Sequence, residues 1–350
     1  MVHLDNVSKN YGAVQALRST HLEVRRGEFL TLLGPSGSGK TTLLNMIAGM
    51  TGPSDGQIWI DGRDVTEVPP SRRGIGMVFQ NYALMPHMTI FQNIAFPLEI
   101  RRIPADEIRQ RVMKVLEIVR LPNVAERKPK ELSGGQQQRV SLARCIVYNP
   151  SLILMDEPLG ALDKNLRDQM QLEIRRLHSE LGITIVYVTH DQEEALNMSD
   201  RIMLMNGGSV EQLDTPHDLY YAPRTRFAAE FIGRSSLIPS EMIGGGQARL
   251  NDGSVVRVNR GANAGKGHLM VRPESMRLVQ AGNVDAGMNA LQGTLQGTLV
   301  TGGSITHFVA HSSNTTLIVQ ELANERRTAF TSGEQISVTW PVDAGIFLDR

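Results

Sequence analysis

Residues 34–42 read Gly34-Pro35-Ser36-Gly37-Ser38-Gly39-Lys40-Thr41-Thr42 and match the pattern Gly-x-x-x-x-Gly-Lys-Ser/Thr at every position. The apolar run Phe29–Leu33 before the loop predicts a short buried strand, and a helix is predicted to begin at Thr41. A phosphate chain held there would meet backbone N–H groups and the positive end of the helix. Lys40 would reach the terminal phosphates, and the Thr41 hydroxyl would hold Mg²⁺. The stretch therefore predicts a nucleoside triphosphate site, because a merely flexible Gly/Ser loop would not need the flanking strand and helix.

Length and composition limit the classes of protein to which the chain can belong. Its 350 residues exceed one ordinary hydrophobic core and favour two domains. Lys and Arg together number 36, as do Asp and Glu, so no net charge favours nucleic acid as a partner. The one cysteine, Cys145, excludes an internal disulfide and is predicted to be a buried packing residue in a helix.

The segment Gly74–Leu98 contains no formally charged residue and is long enough to raise the question of a membrane span. Polar residues and prolines interrupt it, and their backbone and side chains would be costly in hydrocarbon. The segment is therefore predicted to lie outside the bilayer. The interrupting residues are Gln80, Asn81, Pro86, His87, Gln92, Asn93 and Pro97.

Up to about Gly233, short apolar runs alternate with amphipathic helices, which predicts an α/β fold around a parallel sheet. One helix is predicted over Asp106–Val119. A second is predicted over Lys164–Leu181, with Asp163 placed to cap its start and Gly182 to end it. The predicted strands are Phe29–Leu33, Gly76–Phe79, Leu152–Asp156, Ile183–Thr189 and Ile202–Met205.

The composition changes after residue 233. Residues 286–320 carry no formal charge and are rich in Thr, Gly, Ser and Gln. Short alternating runs such as Ser254–Val258 and Thr315–Val319 are separated by turn signals. This pattern predicts a small all-β, OB-like domain over residues 234–350.

Polar side chains stand where three predicted strands end. Asp156 and Glu157 follow one strand, Gln80 another and His190 a third. Because the carboxyl ends of parallel strands open on one crevice, these side chains are predicted to lie near the phosphate chain. Asp156 would organise Mg²⁺, Glu157 would polarise the attacking water, and His190 would contact the γ-phosphate. Ordinary surface acids and a structural histidine would not need to share this edge.

A second anion site is predicted at Leu132-Ser133-Gly134-Gly135-Gln136, which precedes a helix predicted over Gln137–Val147. The Ser133 hydroxyl and the Gly-Gly backbone would meet an anion at the helix N-terminus. A chain with one phosphate loop needs no second phosphate-binding element of its own. The simplest interpretation is that this signature motif binds the nucleotide held by another subunit.

In this order along the chain, and together with Ala161-Leu162-Asp163, these motifs resemble the ATP-binding subunit of ABC transporters over residues 1 to about 233. The resemblance implies a P-loop NTPase fold with a helical subdomain over about 81–147, and ATP and Mg²⁺ as cofactors. It also implies two copies that sandwich two ATP molecules head to tail. Each nucleotide would then lie between the phosphate loop of one copy and the signature motif of the other.

The resemblance also assigns roles to individual residues. Tyr11 would stack on adenine, where a plain surface tyrosine is the alternative, and Asp163 would communicate across the dimer. Glu157 would be the catalytic base, assisted by His190 and Gln80. Oxygen atoms of Thr41, Gln80 and Asp156 would hold the metal. The remaining nucleotide contacts would come from Gly34, Pro35, Ser36, Gly37, Ser38, Gly39, Lys40, Thr42, Ser133, Gly134, Gly135 and Gln136.

Three stretches, Arg73–Thr89, Val188–Leu196 and Gly207–Pro216, resemble importer subunits in particular. The tail with Val271–Leu278 resembles their accessory TOBE-like domain. Within the importers the similarity is greatest to polyamine-import ATPases, while sugar, opine, phosphonate and iron importers stay open as alternatives. Met85 stands where Phe is usual, a change between apolar residues.

An importer subunit of this kind would sit peripherally at the cytoplasmic face of the inner membrane. It would dock on two transmembrane permease subunits, fed by an external solute-binding protein. Gly74–Leu98 would form much of the docking groove, unless it is only a buried part of the helical subdomain. A soluble ABC ATPase of DNA repair or translation is the rival class, but the chain has neither long coiled coils nor a second nucleotide domain. The tail would support the dimer or, alternatively, sense a small molecule.

Overall fold

The computed structural model describes residues 1–258, 265–312, 315–323 and 330–349. The chain forms two compact units, Met1–His217 and Asp218–Arg350. In the first unit, strands β1 to β10 span Val2–Tyr11, Val14–Val24, Phe29–Leu33, Asp55–Ile60, Arg63–Asp64, Gly76–Val78, Leu152–Asp156, Thr184–Thr189, Arg201–Asn206 and Ser209–Asp214. Helices α1 to α6 span Lys40–Ala48, Ile90–Ile100, Ala105–Ile118, Gly134–Ile146, Lys164–Leu181 and Gln192–Met198.

A six-stranded sheet in the order β10-β9-β3-β8-β7-β6 lies at the centre of this unit. Its strands run parallel except for β10, which pairs antiparallel with β9. Strands β3, β7 and β8 are almost entirely buried, as expected for parallel strands covered on both faces. The predicted α/β fold is therefore confirmed, and the five predicted strands all form.

A second, antiparallel sheet in the order β2-β1-β4-β5 was not predicted from the sequence. Its apolar residues, such as Leu4, Leu22 and Ile58, alternate with exposed ones and join the core beside β3. Strands β1 and β4 are separated by more than forty residues. Their pairing is therefore a tertiary contact that local patterns do not reveal.

Helices α2, α3 and α4 form the predicted helical region between β6 and β7. Helix α4 begins at Gly134, three residues earlier than predicted, because Ser133 and Gln136 form a capping box that recruits both glycines into its first turn. The predicted caps of α5 are confirmed: Asp163 accepts a hydrogen bond from the Leu166 N–H, and Gly182 ends the helix in the left-handed conformation.

Cys145 lies buried in α4 and donates its thiol to the Met77 carbonyl oxygen at 3.1 Å. Burial raises the pKa of this thiol to about 11, which suits a packing residue rather than a nucleophile. Residues 74–98 hold β6 and most of α2. Within the described ranges, no helix is long and apolar enough to cross a membrane.

The second unit is all-β apart from short helices, as the sequence predicted. Helix α7 (Pro216–Tyr221) runs across the division, and α8 (Arg226–Phe231) follows it. Strands β11 to β20 span Ser236–Gly244, Gln247–Leu250, Val255–Arg257, Gly265–Val271, Arg277–Gln280, Met288–Thr301, Ser304–Ser312, Thr315–Leu322, Gln335–Pro341 and Gly345–Leu348. In the described residues they form two antiparallel sheets, ordered β13-β12-β11-β14-β20 and β15-β19-β16-β17-β18. Both sheets contribute to one core around the buried Trp340.

The division between the units falls after His217, whereas the sequence placed the domain boundary after Gly233. Arg272 explains why residues 218–233 group with the β unit. Its guanidinium is buried and donates to the carbonyl oxygens of Tyr220 at 3.0 Å and Ile232 at 2.6 Å. Ala229 of α8 packs against apolar residues of β14 and β20. The boundary of the autonomous nucleotide-binding domain stays a prediction.

A pair of truncated chains separates these two boundaries. A chain ending at His217 is expected to bind ATP and to stay monodisperse, because every candidate site residue lies before His217. A chain ending at Ser236 keeps Leu219, Ala228 and Ile232, which are fully buried in the complete protein. Without the β unit these side chains become exposed, so this chain is expected to aggregate more readily at equal ATP affinity. Light scattering and nucleotide titration check both statements. Loss of ATP binding in a soluble, folded chain ending at Ser236 would contradict the division.

Candidate functional site

The phosphate loop, residues 34–42, connects β3 to α1. Lys40, the first residue of α1, is buried, and its Nζ donates to the carbonyl oxygens of Gly34 at 2.8 Å and Pro35 at 2.9 Å. Gly39 precedes it with φ 98°, and no side chain in the described part of the chain caps the helix. The first backbone N–H groups of α1 are therefore available to donate hydrogen bonds to an anion.

The electrostatic setting of Lys40 also favours an anionic partner. Burial lowers the pKa of its ammonium group, and the nearby carboxylates of Glu157 and Asp156 partly oppose this shift. Its hydrogen-bond acceptors in the loop are neutral carbonyl and hydroxyl oxygens. A phosphate would supply a charged acceptor, and charge-assisted hydrogen bonds are the stronger kind.

Tight packing fixes the start of the loop. Gly34 has φ 154°, and a Cβ there would lie 2.2 Å from the carbonyl oxygen of Met205 on β9. Past this point the loop borders an open pocket of about 420 Å³. Five further residues line this pocket and were not predicted as site residues: Val14, Gln15, Ala16, Gly207 and Gly208.

The ends of β7 and β8, two of the three strands predicted to converge here, lie beside the end of β3, where this loop begins. In the sheet register, Leu33 pairs with Thr189 and Val188 pairs with Asp156, so the residues that follow β3, β8 and β7 lie at one edge. The Thr41 hydroxyl donates to Asp156 Oδ1 at 3.2 Å. Burial raises the pKa of Asp156, and the Thr41 hydrogen bond opposes that rise.

Glu157 and His190 form a pair at the same edge. Nδ1 of His190 lies 3.3 Å from Oε1 of Glu157. Glu157 adopts a left-handed backbone conformation with φ 44°, which is strained for a residue with a side chain. Its N–H donates to the Val188 carbonyl oxygen at 3.0 Å and so holds the turn in place. A partly exposed carboxylate beside an imidazole can accept or return a proton.

Gln80 and Tyr11 both lie at the protein surface. Gln80 follows β6 and is exposed. Its Nε2 lies 3.5 Å from the position that a Cβ at Gly160 would occupy. Tyr11 ends β1, is 52% exposed and pairs across the hairpin with Val14, which lines the loop pocket. The Lys9 ammonium lies over the Tyr11 ring, 5.1 Å from its centroid.

The signature motif and Asp163 form a separate group. A Cβ at Gly135 would lie 2.7 Å from Leu166 Cδ1, so the first turn of α4 packs closely on the start of α5. In the part of the chain that the structure describes, no hydrogen bond joins residues 133–136 to the phosphate loop. Among the described residues, the two predicted anion sites are thus not joined by a direct hydrogen bond.

Comparison with known proteins agrees with this arrangement. Residues 17–160 match the family described as ABC transporter, and residues 269–348 match the TOBE domain. The spermidine/putrescine import ATP-binding protein PotA of Thermobifida fusca is 46% identical, over 97% of this chain and 91% of that protein. The chain belongs to the ABC transporter ATP-binding proteins. As a member of this family it is an ATPase.

Other relatives of this ABC ATPase lead to the same family. PotA of Nitrosospira multiformis is 44% identical over 100% of this chain and 99% of that protein. A dimeric structure of the ATP-binding cassette MJ0796, in a post-hydrolysis state with ADP and Pi, is 36% identical with a TM-score of 0.55. It covers 62% of this chain and 99% of that chain. The structure of cbiO1 from Clostridium perfringens, with a TM-score of 0.59, is 29% identical and covers 62% of this chain and 89% of that one.

Sequence reasoning missed residues of the ABC ATPase that act through tertiary contacts. Val14 and Ala16 enter the loop pocket only because β2 lies beside the phosphate loop. Arg167 of α5 was also not predicted as a site residue, although its guanidinium donates a hydrogen bond to Asp191, the residue after His190. A charged residue in the first turn of an amphipathic helix carries no signal of such a contact.

Proposed function

We propose that this ABC ATPase powers the import of a polyamine, spermidine or putrescine, through a partner permease. The observation that carries the proposal is identity of 44–46% over nearly the whole chain, tail included, to two spermidine/putrescine import ATP-binding proteins. The similarity spans both units rather than the ATPase motifs alone. It favours a polyamine over the sugar, opine, phosphonate and iron importers, and over a soluble ABC ATPase.

In the proposed reaction, the phosphate loop holds the ATP phosphates with its backbone N–H groups and the Lys40 ammonium. Tyr11 stacks on adenine. Glu157 removes a proton from the attacking water, and His190, 3.3 Å from Glu157, contacts the γ-phosphate and keeps the carboxylate in position. Gln80 approaches from the neighbouring strand end and helps to orient the water. The strand register that brings these ends to one edge supports these roles.

The same edge suits a magnesium ion. Mg²⁺ prefers oxygen ligands and is usually bound by a few protein oxygens plus substrate phosphates. Thr41, Asp156 and Gln80 offer a hydroxyl, a carboxylate and an amide oxygen there, and a direct hydrogen bond already joins the first two. These residues would hold the ion, directly or through water. The ion would neutralise charge on the β- and γ-phosphates.

We further propose a head-to-tail dimer of this chain. Ser133, Gly134, Gly135 and Gln136 form the capped start of α4, which we take as a second anion site. A second copy would bring this motif, with Asp163, to the nucleotide. The dimer would dock on two permease subunits at the cytoplasmic face of the inner membrane, and the uncharged region Gly74–Leu98 would receive part of each permease.

An uptake experiment tests the solute. A strain from which the gene has been deleted is expected to lose uptake of radiolabelled spermidine or putrescine and to regain it with the intact gene. The matched control is the same strain carrying Lys40→Ala, which removes the proposed phosphate ligand and should not restore uptake. Normal polyamine uptake with lost uptake of a sugar, phosphonate, opine or iron would move the assignment to that solute. The ATPase assignment would be unaffected.

A further inference from the structure

Arg167, near the start of α5, contacts two loops that carry candidate site residues. Its Nη2 donates to the carbonyl oxygen of Leu162 at 3.1 Å, in the loop that ends at Asp163. Its Nη1 donates to Oδ2 of Asp191 at 3.1 Å, in the residue after His190. The guanidinium is largely sheltered, with 29% of the side chain exposed. One planar side chain therefore bridges the two loops.

Arg167 also lies beside the buried carboxylate of Glu194. Oε1 of Glu194 lies 3.8 Å from Nε of Arg167, and the Glu194 side chain is 3% exposed. Oε2 of the same carboxylate accepts hydrogen bonds from the hydroxyls of Tyr187 and Thr189, each at 2.7 Å. The Thr189 hydroxyl in turn accepts from the Asp191 N–H at 3.0 Å.

This cluster holds the backbone on both sides of His190. Thr189 precedes the histidine and Asp191 follows it, and both are tied to Glu194 or Arg167. Arg167 and His190 also line one open pocket of about 470 Å³, so the cluster adjoins the site. Because a guanidinium presents several donors in a rigid plane, it can hold a carbonyl and a carboxylate at once, which a lysine ammonium does less well.

We propose that Arg167, with Asp191 and Glu194, is a positioning residue for ATP hydrolysis that couples the Asp163 loop to His190. In this role Arg167 acts through Asp191 and Glu194 rather than on the nucleotide. It sets the orientation of His190 and makes that orientation depend on the loop that faces the second copy. This inference rests on the proposed roles of His190 and Asp163 and goes beyond them, since neither role requires a connection within the subunit.

Three variants and one control test the cluster in the full-length protein. Arg167→Met is expected to lower kcat for ATP hydrolysis roughly 10- to 100-fold, the usual effect of a misplaced catalytic group, with ATP affinity unchanged. Arg167→Lys should restore part of the loss. Asp191→Asn removes the charge facing Arg167, while asparagine still caps α6, so it should lower kcat without a matching fall in melting temperature.

Arg175→Met is the matched control, because Arg175 lies on the same helix and makes the same kinds of contact. It donates to the Met198 carbonyl oxygen at 2.9 Å and to Asp200 Oδ1 at 3.0 Å, away from both loops. Its substitution should lower the melting temperature by a similar amount and leave kcat unchanged. Equal losses of kcat in the two methionine variants would overturn the proposal, as would normal kcat in Arg167→Met and Asp191→Asn.

A double variant separates this inference from the proposed role of His190. If Arg167 acts through His190, adding Arg167→Met to His190→Ala should cause no further loss of the residual turnover, measured with γ-labelled ATP. Multiplied losses would show that Arg167 acts elsewhere and would overturn the coupling. If His190→Ala alone hydrolyses ATP normally, the proposed role of His190 fails, and the coupling built on it fails with it. In that case a low kcat in Arg167→Met would have to come from another residue.

Discussion

Replacing Glu157 with Gln is expected to slow ATP turnover by roughly 10²- to 10⁴-fold, the range over which general-base catalysis usually contributes. ATP binding should be retained, because the amide is almost isosteric and the backbone hydrogen bond to Val188 does not involve the side chain. The carboxylate lies 3.3 Å from His190, where a neutral amide cannot accept the proton of the attacking water. Single-turnover hydrolysis and equilibrium ATP titration separate the two effects.

Glu193→Gln is the control for this experiment. Glu193 is an exposed glutamate that lines the pocket beside His190, so its neutralisation changes the local field without removing the proposed base. Its kcat should stay near that of the unaltered protein. The ATP-bound Glu157→Gln protein should also sediment as a dimer, because the two ATP molecules sandwiched between the copies would not be hydrolysed. Near-normal turnover in Glu157→Gln would remove this residue from the role of base.

A mixture of two inactive variants is expected to regain ATPase activity. Lys40→Ala removes the phosphate ligand of one surface, and Ser133→Arg blocks the anion site of the other. In a head-to-tail dimer, the Lys40 of one copy and the Ser133 of its partner belong to the same nucleotide site. A mixed dimer therefore contains one intact site and one doubly altered site.

The expected recovery is about one quarter of the unaltered activity, because about half of the dimers mix and each then has one working site of two. Mixing Lys40→Ala with Lys40→Ala, Ser133→Arg is the control, since no pairing of those chains gives an intact site. Crosslinking offers a second measurement. Attachment of Ser133 to the nucleotide of its own subunit, or no recovery in a dimer shown to mix, would contradict the head-to-tail site.

The sequence alone determined the phosphate loop, the acids at the end of β7 and the α/β class of the first unit. Each depends on neighbouring residues. The glycines and Lys40 lie within one loop, and β7 is a continuous apolar run without alternating polar residues, because both of its faces are buried. The caps of α5 were predictable for the same reason, since Asp163 and Gly182 act on the backbone within one turn. The signature motif was also visible, but its capping box placed the start of α4 earlier than the apolar pattern suggested.

Tertiary structure alone decided which distant residues share a site or a unit. The pairing of β1 with β4, the approach of Val14 to the phosphate loop and the bridge from Arg167 to Asp191 all join segments far apart in the chain. Residues 218–233 group with the β unit because Arg272, 52 residues beyond Tyr220, holds their carbonyl oxygens. Such contacts depend on how sheets and helices pack, and a side chain carries no local mark of the partner it will meet. The motifs could therefore be recognised in the sequence, whereas the hydrogen-bond network that positions them could be identified only in the folded structure.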